Sequence, residues 1–155
     1  MLPKNRVSRN IGAIAVALVI FFLGGTFVLT RPVQGAQTST VADLMTLPAI
    51  AAQSVPYGEA IANGKPAFIE FYADWCMTCQ AMAPTLAKAH ERFGAAINFV
   101  MLNIDDPQWQ STVATYKVTG VPHFVLLEEE QVAVDTFIGK VPFQILSERL
   151  SSLVG

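Results

Sequence analysis

The feature that most constrains the fold of this chain is a nearly continuous apolar run, AFIEFYA at residues 67–73, followed by two closely spaced cysteines. A short run of this kind is typical of an interior strand in a sheet that is covered on both faces. A helix is predicted directly afterwards, from about Met77 to Phe93, because apolar residues recur there every three or four positions. Cys76 and Cys79 therefore lie where a buried strand passes into the first turn of a helix.

The sequence after Pro56 predicts further elements in an order that indicates the fold class. A short helix ends at Asn63-Gly64 before the first strand, and the last helix begins at Val141-Pro142, where proline suits the first turn. The other predicted strands are INFVMLNI (97–104), FVLLE (124–128) and QVAVDTFI (131–138), with a loop and short helix in DPQWQSTVATYKV. This order predicts an α/β domain over residues 56–155, with a central mixed β-sheet flanked by helices.

The N-terminal part of the chain has the pattern of a membrane anchor. Residues 11–30 carry no charge, and a helix of this length spans about 30 Å, the thickness of a bilayer core. Basic residues precede the run, at Lys4, Arg6 and Arg9, which predicts a cytoplasmic N-terminus and export of everything that follows. A signal peptide cleaved near VQGA (33–36) is the alternative, and it also predicts export.

This pattern divides the chain into four expected parts. They are a cytoplasmic basic segment (1–10), a single transmembrane signal-anchor helix (11–30), a linker rich in small and polar residues (31–55) and the α/β domain (56–155). Charge is unevenly distributed among them. Four of the ten basic residues lie before residue 37, which leaves six basic and twelve acidic residues in the remainder, a net charge of −6. An acidic exported domain argues against nucleic acid as a partner.

The spacing of the two cysteines suits redox chemistry. Residues three apart share one helix face, close enough to form a disulfide with little backbone movement. At a helix N-terminus, free backbone N–H groups and the helix dipole favour the reactive thiolate. We expect Cys76 to be the more exposed attacking cysteine and Cys79, one turn further in, to resolve the mixed disulfide. The expected redox group is this disulfide itself, with no metal and no further cofactor.

Other uses of the pair remain open from the residues alone. A structural disulfide is possible in an exported domain, but this bridge would close too small a loop to stabilise much. A zinc site normally has four ligands, and the only histidines, His90 and His123, lack the usual paired spacing. Copper or haem delivery could use both cysteines, and copper could also use His123. A disulfide oxidase or isomerase on the same scaffold is a further alternative.

Four more residues are candidates for the site. Glu70 interrupts the apolar strand, and it either faces solvent at a strand edge or is buried with a raised pKa, positioned to exchange a proton with Cys79. Trp75 precedes the first cysteine, where it would flank the disulfide. Val121-Pro122 comes just before a strand, where a cis peptide would bring a backbone edge beside the sulfurs and so bind substrate.

With FYADWCMTC and GVPHF in this order, the chain resembles the thioredoxin superfamily over about residues 55–155. The resemblance implies the thioredoxin fold, a buried acid at Glu70, a helix kink at Pro84 and a cis-proline loop at Val121-Pro122. Two departures stand out. Met77-Thr78 replaces the Gly-Pro of ordinary thioredoxin, and Met101 takes the place of a lysine near the buried acid.

Several longer motifs give a narrower resemblance. NGKPAFIEFYADWC, NFVMLNIDDPQW and GVPHFVLLEEE, behind an anchor, are similar to the membrane-anchored thioredoxin-like proteins of the thylakoid lumen in chloroplasts and of cyanobacteria. The resemblance implies a protein-disulfide reductase that takes electrons from a CcdA-type membrane protein. It would pass them to apocytochrome haem-binding cysteines during cytochrome b-f assembly. It places the domain in the thylakoid lumen or periplasm.

Overall fold

The computed structural model describes residues 46–155. Its elements follow the predicted order, with one additional helix at the start. The helices are α1 (Leu47–Ala51), α2 (Tyr57–Ala60), α3 (Met77–Phe93), α4 (Gln110–Thr115) and α5 (Phe143–Leu153), and a 3-10 turn spans Pro107–Trp109. The strands are β1 (Ala67–Tyr72), β2 (Asn98–Asn103), β3 (His123–Leu127) and β4 (Ala133–Ile138).

The four strands form one mixed sheet in the order β2-β1-β3-β4. Strand β1 is parallel to β2 and antiparallel to β3, and β4 returns antiparallel to β3. Because β1 and β2 are parallel, the loops that leave them lie at the same edge of the sheet. The predicted mixed sheet is therefore confirmed, and it carries the loop that leads to Cys76.

Alternate side chains of the sheet fill two cores. Phe68 of β1 and Phe124 of β3 point to the face covered by α3 and α5, where their rings stack at 5.4 Å between centroids. Phe71 and Val125 point to the opposite face, against the segment around α4. This alternation explains why β1 is apolar at nearly every position: both of its faces are buried.

Helix α1 differs from the expected division of the chain at residue 56. Residues 31–55 were expected to form a linker, yet Leu47 and Ile50 are buried in the core that α3 covers. After this helix, the backbone N–H of Val55 donates to the carbonyl of Phe99 on β2 at 2.8 Å. The packed domain therefore begins before residue 56, at least as early as Leu47.

The predicted transmembrane helix, residues 11–30, lies outside the described residues, as do the basic segment and the first part of the linker. Between residues 46 and 155, no helix is both long enough and apolar enough to cross a membrane.

Candidate active site

The two cysteines lie at the junction that the sequence predicts. Strand β1 ends at Tyr72, a short loop follows, and Cys76 is the N-cap of helix α3. The backbone N–H of Cys79 donates to Sγ of Cys76 at 3.1 Å. The two cysteines form a disulfide, with their Cα atoms 5.3 Å apart. After reduction the same N–H group, together with the helix dipole, would favour a thiolate at Cys76.

The two cysteine residues differ slightly in their exposure to solvent. Cys76 is 6% exposed, whereas Cys79 is completely buried. On either side of Cys76, Trp75 is 66% exposed and Met77 is 82% exposed. A partner would therefore reach Cys76 first, over a surface formed by these two large side chains.

Glu70 lies in the core and not at a solvent-facing strand edge. It is 1% exposed, on the same face of β1 as Phe68, and thus on the side of the sheet that α3 covers. Neither carboxyl oxygen has a hydrogen-bond partner. Burial without a compensating partner raises the pKa of Glu70 well above its ordinary value. The residue paired with Glu70 on β2 is Met101, whose side chain carries no charge.

Trp75 is held by a side chain from the next loop. Its indole N–H donates to Oδ2 of Asp105 at 2.8 Å. A second link joins the same two loops, because the side-chain amide of Asn103 donates to Asp74 at 3.2 Å. These contacts tie the loop before Cys76 to the loop after β2.

Val121 and Pro122 form the loop that enters β3, and the peptide bond between them is cis. Strand β3 pairs antiparallel with β1, and its first residue, His123, lies opposite Phe71. The loop therefore adjoins the end of β1, from which the chain continues to Cys76. The carbonyl of Pro122 accepts a hydrogen bond from Gly139 at 2.8 Å, which fixes the loop to the end of β4.

His123 does not share a face with the cysteines. It alternates with Phe124, whose side chain packs in the core with Cys79, and its ring instead meets Phe71 edge-on with centroids 5.9 Å apart. Burial lowers the pKa of His123, so the neutral imidazole is favoured. Among residues 46–155 there is no group of three or more histidine, cysteine or acidic side chains that could hold a metal ion.

Two features of the structure, one in this site and one outside it, were not predicted from the sequence. Asp105 follows β2 as Asp74 follows β1, and the shared edge of two parallel strands would have indicated that the two loops meet. Helix α1 also had a signature, because Pro48 lies in its first turn and Leu47 and Ile50 are spaced for one helix face.

A disulfide at the start of a helix, after a central strand of a mixed sheet whose antiparallel neighbour follows a cis-proline loop, defines a thiol–disulfide oxidoreductase with the thioredoxin fold. The thioredoxin family model matches residues 49–152, and the chain belongs to this family. A point mutant of thioredoxin from the haloarchaeon Halobacterium salinarum shares the fold, with a TM-score of 0.56 at 24% identity, over 63% of this chain and 81% of that one.

Curated relatives confirm the narrower resemblance. The "Thiol:disulfide interchange protein TxlA homolog" of Synechocystis sp. is 42% identical over 77% of this chain and 66% of its own length. TxlA of Synechococcus elongatus is 40% identical over 94% of this chain and 71% of its own. The chloroplastic "Thioredoxin-like protein HCF164" of Arabidopsis thaliana is 34% identical over 97% and 53%. The chain thus spans between about half and about seven tenths of these relatives.

Proposed function

We propose that this protein is a membrane-anchored protein-disulfide reductase whose domain works on the exported side of its membrane, in the thylakoid lumen or periplasm. The observation that carries the thiol–disulfide chemistry is the Cys76–Cys79 disulfide at the start of α3, with Cys76 6% exposed and Cys79 completely buried. The uncharged run at residues 11–30 and the basic residues before it support the anchor and its orientation.

Reduction of a substrate proceeds in two exchanges. The Cys76 thiolate attacks one sulfur of the substrate disulfide, which forms a mixed disulfide and releases the other substrate sulfur as a thiolate. The Cys79 thiolate then attacks Sγ of Cys76, which releases the second substrate sulfur and closes the Cys76–Cys79 disulfide. The substrate gains two electrons and two protons, and the protein loses them. Trp75, Val121 and Pro122 supply the surface on which the substrate lies during the first exchange.

Glu70 acts in the second exchange. Cys79 is buried, so its thiol must lose a proton to a nearby base before it can attack. Glu70 is buried on the same side of the sheet and has no partner of its own. A carboxylate with a raised pKa is a better base towards a thiol than an ordinary one. We assign this role to the ionised form of Glu70, the form that increases as pH rises towards its raised pKa.

The electrons would come from a CcdA-type membrane protein with a reduced cysteine pair, and apocytochrome haem-binding cysteines are the proposed substrates. The thiol:disulfide interchange names of the cyanobacterial relatives support the chemistry. The chloroplastic location in the Arabidopsis relative's name supports the compartment. A domain outside the cytoplasm has no access to cytosolic reductants, so it needs a donor that carries electrons across the membrane.

Trapping tests the proposal directly. In the Cys79→Ser variant of the full chain, the mixed disulfide at Cys76 should persist, and partners should be identifiable after non-reducing electrophoresis of intact membranes. Exported proteins in their disulfide form and the membrane dithiol protein in its oxidised form are the expected partners, since the Cys76 thiolate attacks one of their disulfide sulfurs and releases the other as a thiolate, and the matched Cys76→Ser variant should trap neither. Capture of cytosolic proteins alone would contradict the orientation. A reduction potential near about −120 mV, typical of a strong oxidant, would contradict the reductant role.

A further inference from the structure

A groove lies between helices α1 and α3, outside the site described above. It has a volume of about 340 Å³, which is within the range of ligand pockets, roughly 300–1,000 Å³. Helix α1 and the residue before it form one wall, and the loop before Cys76 and the outer side of α3 form the other. The lining residues are Thr46, Leu47, Pro48, Asp74, Gln80 and Pro84.

Residues on both sides of the reactive cysteine in the sequence line the groove. Cys76, Gln80 and Pro84 are spaced four residues apart and so form one ridge along α3. The backbone N–H of Gln80 donates to the carbonyl of Cys76 at 3.1 Å. The side-chain amide of Gln80 donates to the carbonyl of Asp74 at 2.7 Å, which fixes this wall of the groove to the active-site loop. Two residues of the groove lining, Asp74 and Gln80, therefore lie two positions before and four positions after Cys76.

The lining has the chemistry of a peptide site. Pro48 and Pro84 supply apolar surface, and the buried Leu47 lies behind them. Pro84 has no N–H group, so the carbonyl of Gln80 lacks its usual helical donor. Asp74 is exposed, and among residues 46–155 its carboxylate has no basic partner. The charge that complements this end of the groove is positive.

We propose that this groove binds the segment of a substrate polypeptide that flanks its disulfide-bonded cysteine, with a preference for a basic side chain next to Asp74. The inference rests on the proposed attack of Cys76 on substrate disulfides. Contacts in the groove can be weak and still direct the reaction, because attachment to Cys76 raises the effective concentration of the segment to the millimolar range. Helix α1 is thus a specificity element.

The test compares three disulfides reduced by the full chain in detergent. Two are symmetric peptide disulfides of the same length, which carry either lysine or glutamate beside the cysteine, and the third is bis(2-hydroxyethyl) disulfide, which is too small to reach the groove. The lysine peptide should react about threefold to tenfold faster than the glutamate peptide at low salt, because the lysine charge is attracted to Asp74 and the glutamate charge is repelled. Asp74→Asn should bring this ratio close to one, whereas Glu91→Gln, on α3 but not in the groove, should leave it intact.

A second variant tests occupancy without changing charge. Thr46→Trp fills the groove, and it should lower the rate for both peptides about fivefold relative to the small disulfide. Thr115→Trp on α4, which packs against the other face of the sheet, is the matched bulky control and should not change this ratio.

Five results would overturn the inference. Equal rates for the two wild-type peptide reactions, or a lysine preference that survives Asp74→Asn, would remove the role of Asp74. An equal loss for all three disulfides in Thr46→Trp would show an effect on the reactive centre instead of the groove. Faster peptide reactions in Thr46→Trp would indicate that the chain's own segment before Thr46 occupies the groove. Failure of the wild-type chain to reduce even the small disulfide would refute the proposed function, and the groove assignment with it.

Discussion

The indole N–H of Trp75 and Oδ2 of Asp105 are 2.8 Å apart and join the loop before the reactive cysteine to the loop after β2. Trp75 is largely exposed, so this bond, and not burial, sets the direction of its ring. An exposed aromatic side chain with a fixed direction offers a partner contact area at a lower cost in side-chain entropy.

Asp105→Ala should weaken substrate binding more than it weakens the fold. The kcat/KM for insulin reduction should fall about threefold to fivefold, with a change in the free energy of unfolding of less than about 1 kcal/mol, because the hydrogen bond is exposed. Tryptophan anisotropy in a Trp109→Phe background should decrease as Trp75 becomes freer. Glu129→Ala, in the turn between β3 and β4, is the control and should leave kcat/KM and anisotropy unchanged. Unchanged anisotropy in Asp105→Ala would show that the bond does not orient the ring.

Glu70→Gln should separate the two exchange steps. The amide cannot accept a proton from Cys79, so resolution of the mixed disulfide should slow about tenfold to a hundredfold, within the usual range for a lost general base. Attack by Cys76 should change much less, because Cys76 keeps some access to solvent bases. Rapid quenching with acid, followed by counting of mixed and closed disulfides, measures both steps. Equal slowing of the two steps would contradict the assigned role.

The stability of the reduced protein should depend on Glu70 in a defined direction. Burial raises the pKa of Glu70 in the folded state above the ordinary value of 4.5. At pH values between 4.5 and the raised pKa, the folded state keeps a proton that the unfolded state has lost. The free energy of unfolding therefore falls as pH rises, by at most about 1.4 kcal/mol per pH unit. Glu70→Gln should remove this decline and be more stable than wild type at neutral pH. Guanidinium unfolding of both proteins between about pH 5 and pH 8 measures this difference in stability. Parallel pH profiles for wild type and Glu70→Gln would refute the prediction.

Leu47→Ala should show that helix α1 belongs to the folded domain. Leu47 is 2% exposed, and truncation of a buried leucine costs about 2–5 kcal/mol. We expect a value near 2 kcal/mol, at the low end of that approximate range, because a short helix at the edge of the core can settle into the space. Val154→Ala, at a position 44% exposed, should cost much less. Equal midpoints in guanidinium for the two variants would indicate that α1 is not part of the cooperative unit.

The sequence predicted best where local pattern and burial agree. Helix α3 has the predicted bounds, Met77 to Phe93, because its apolar spacing is regular and Cys76 caps it. The mixed sheet also follows from the order of the elements. The predictions were weaker at residues 31–55, where small and polar residues indicated a linker. Two side chains in that range, Leu47 and Ile50, are buried in the core and bring helix α1 into the folded domain.

The remaining features depend on contacts between distant residues. Sequence alone allowed Glu70 to face either solvent or the core, because one acidic residue in an apolar strand fits an edge strand as well as a central one. The pairing of β1 on both sides is what decides its burial. The cis form at Val121-Pro122 is likewise a property of the assembled loop.

The position of Thr46 has a practical consequence. Thr46 lines the groove that residues on both sides of Cys76 in the sequence also line, so the polypeptide enters the packed domain at the rim of its reactive surface. A label, affinity handle or fusion partner joined just ahead of Thr46 would stand in the path of incoming proteins. No residue of α5 lines the groove, so attachment after Leu153 is the better choice for immobilising the domain.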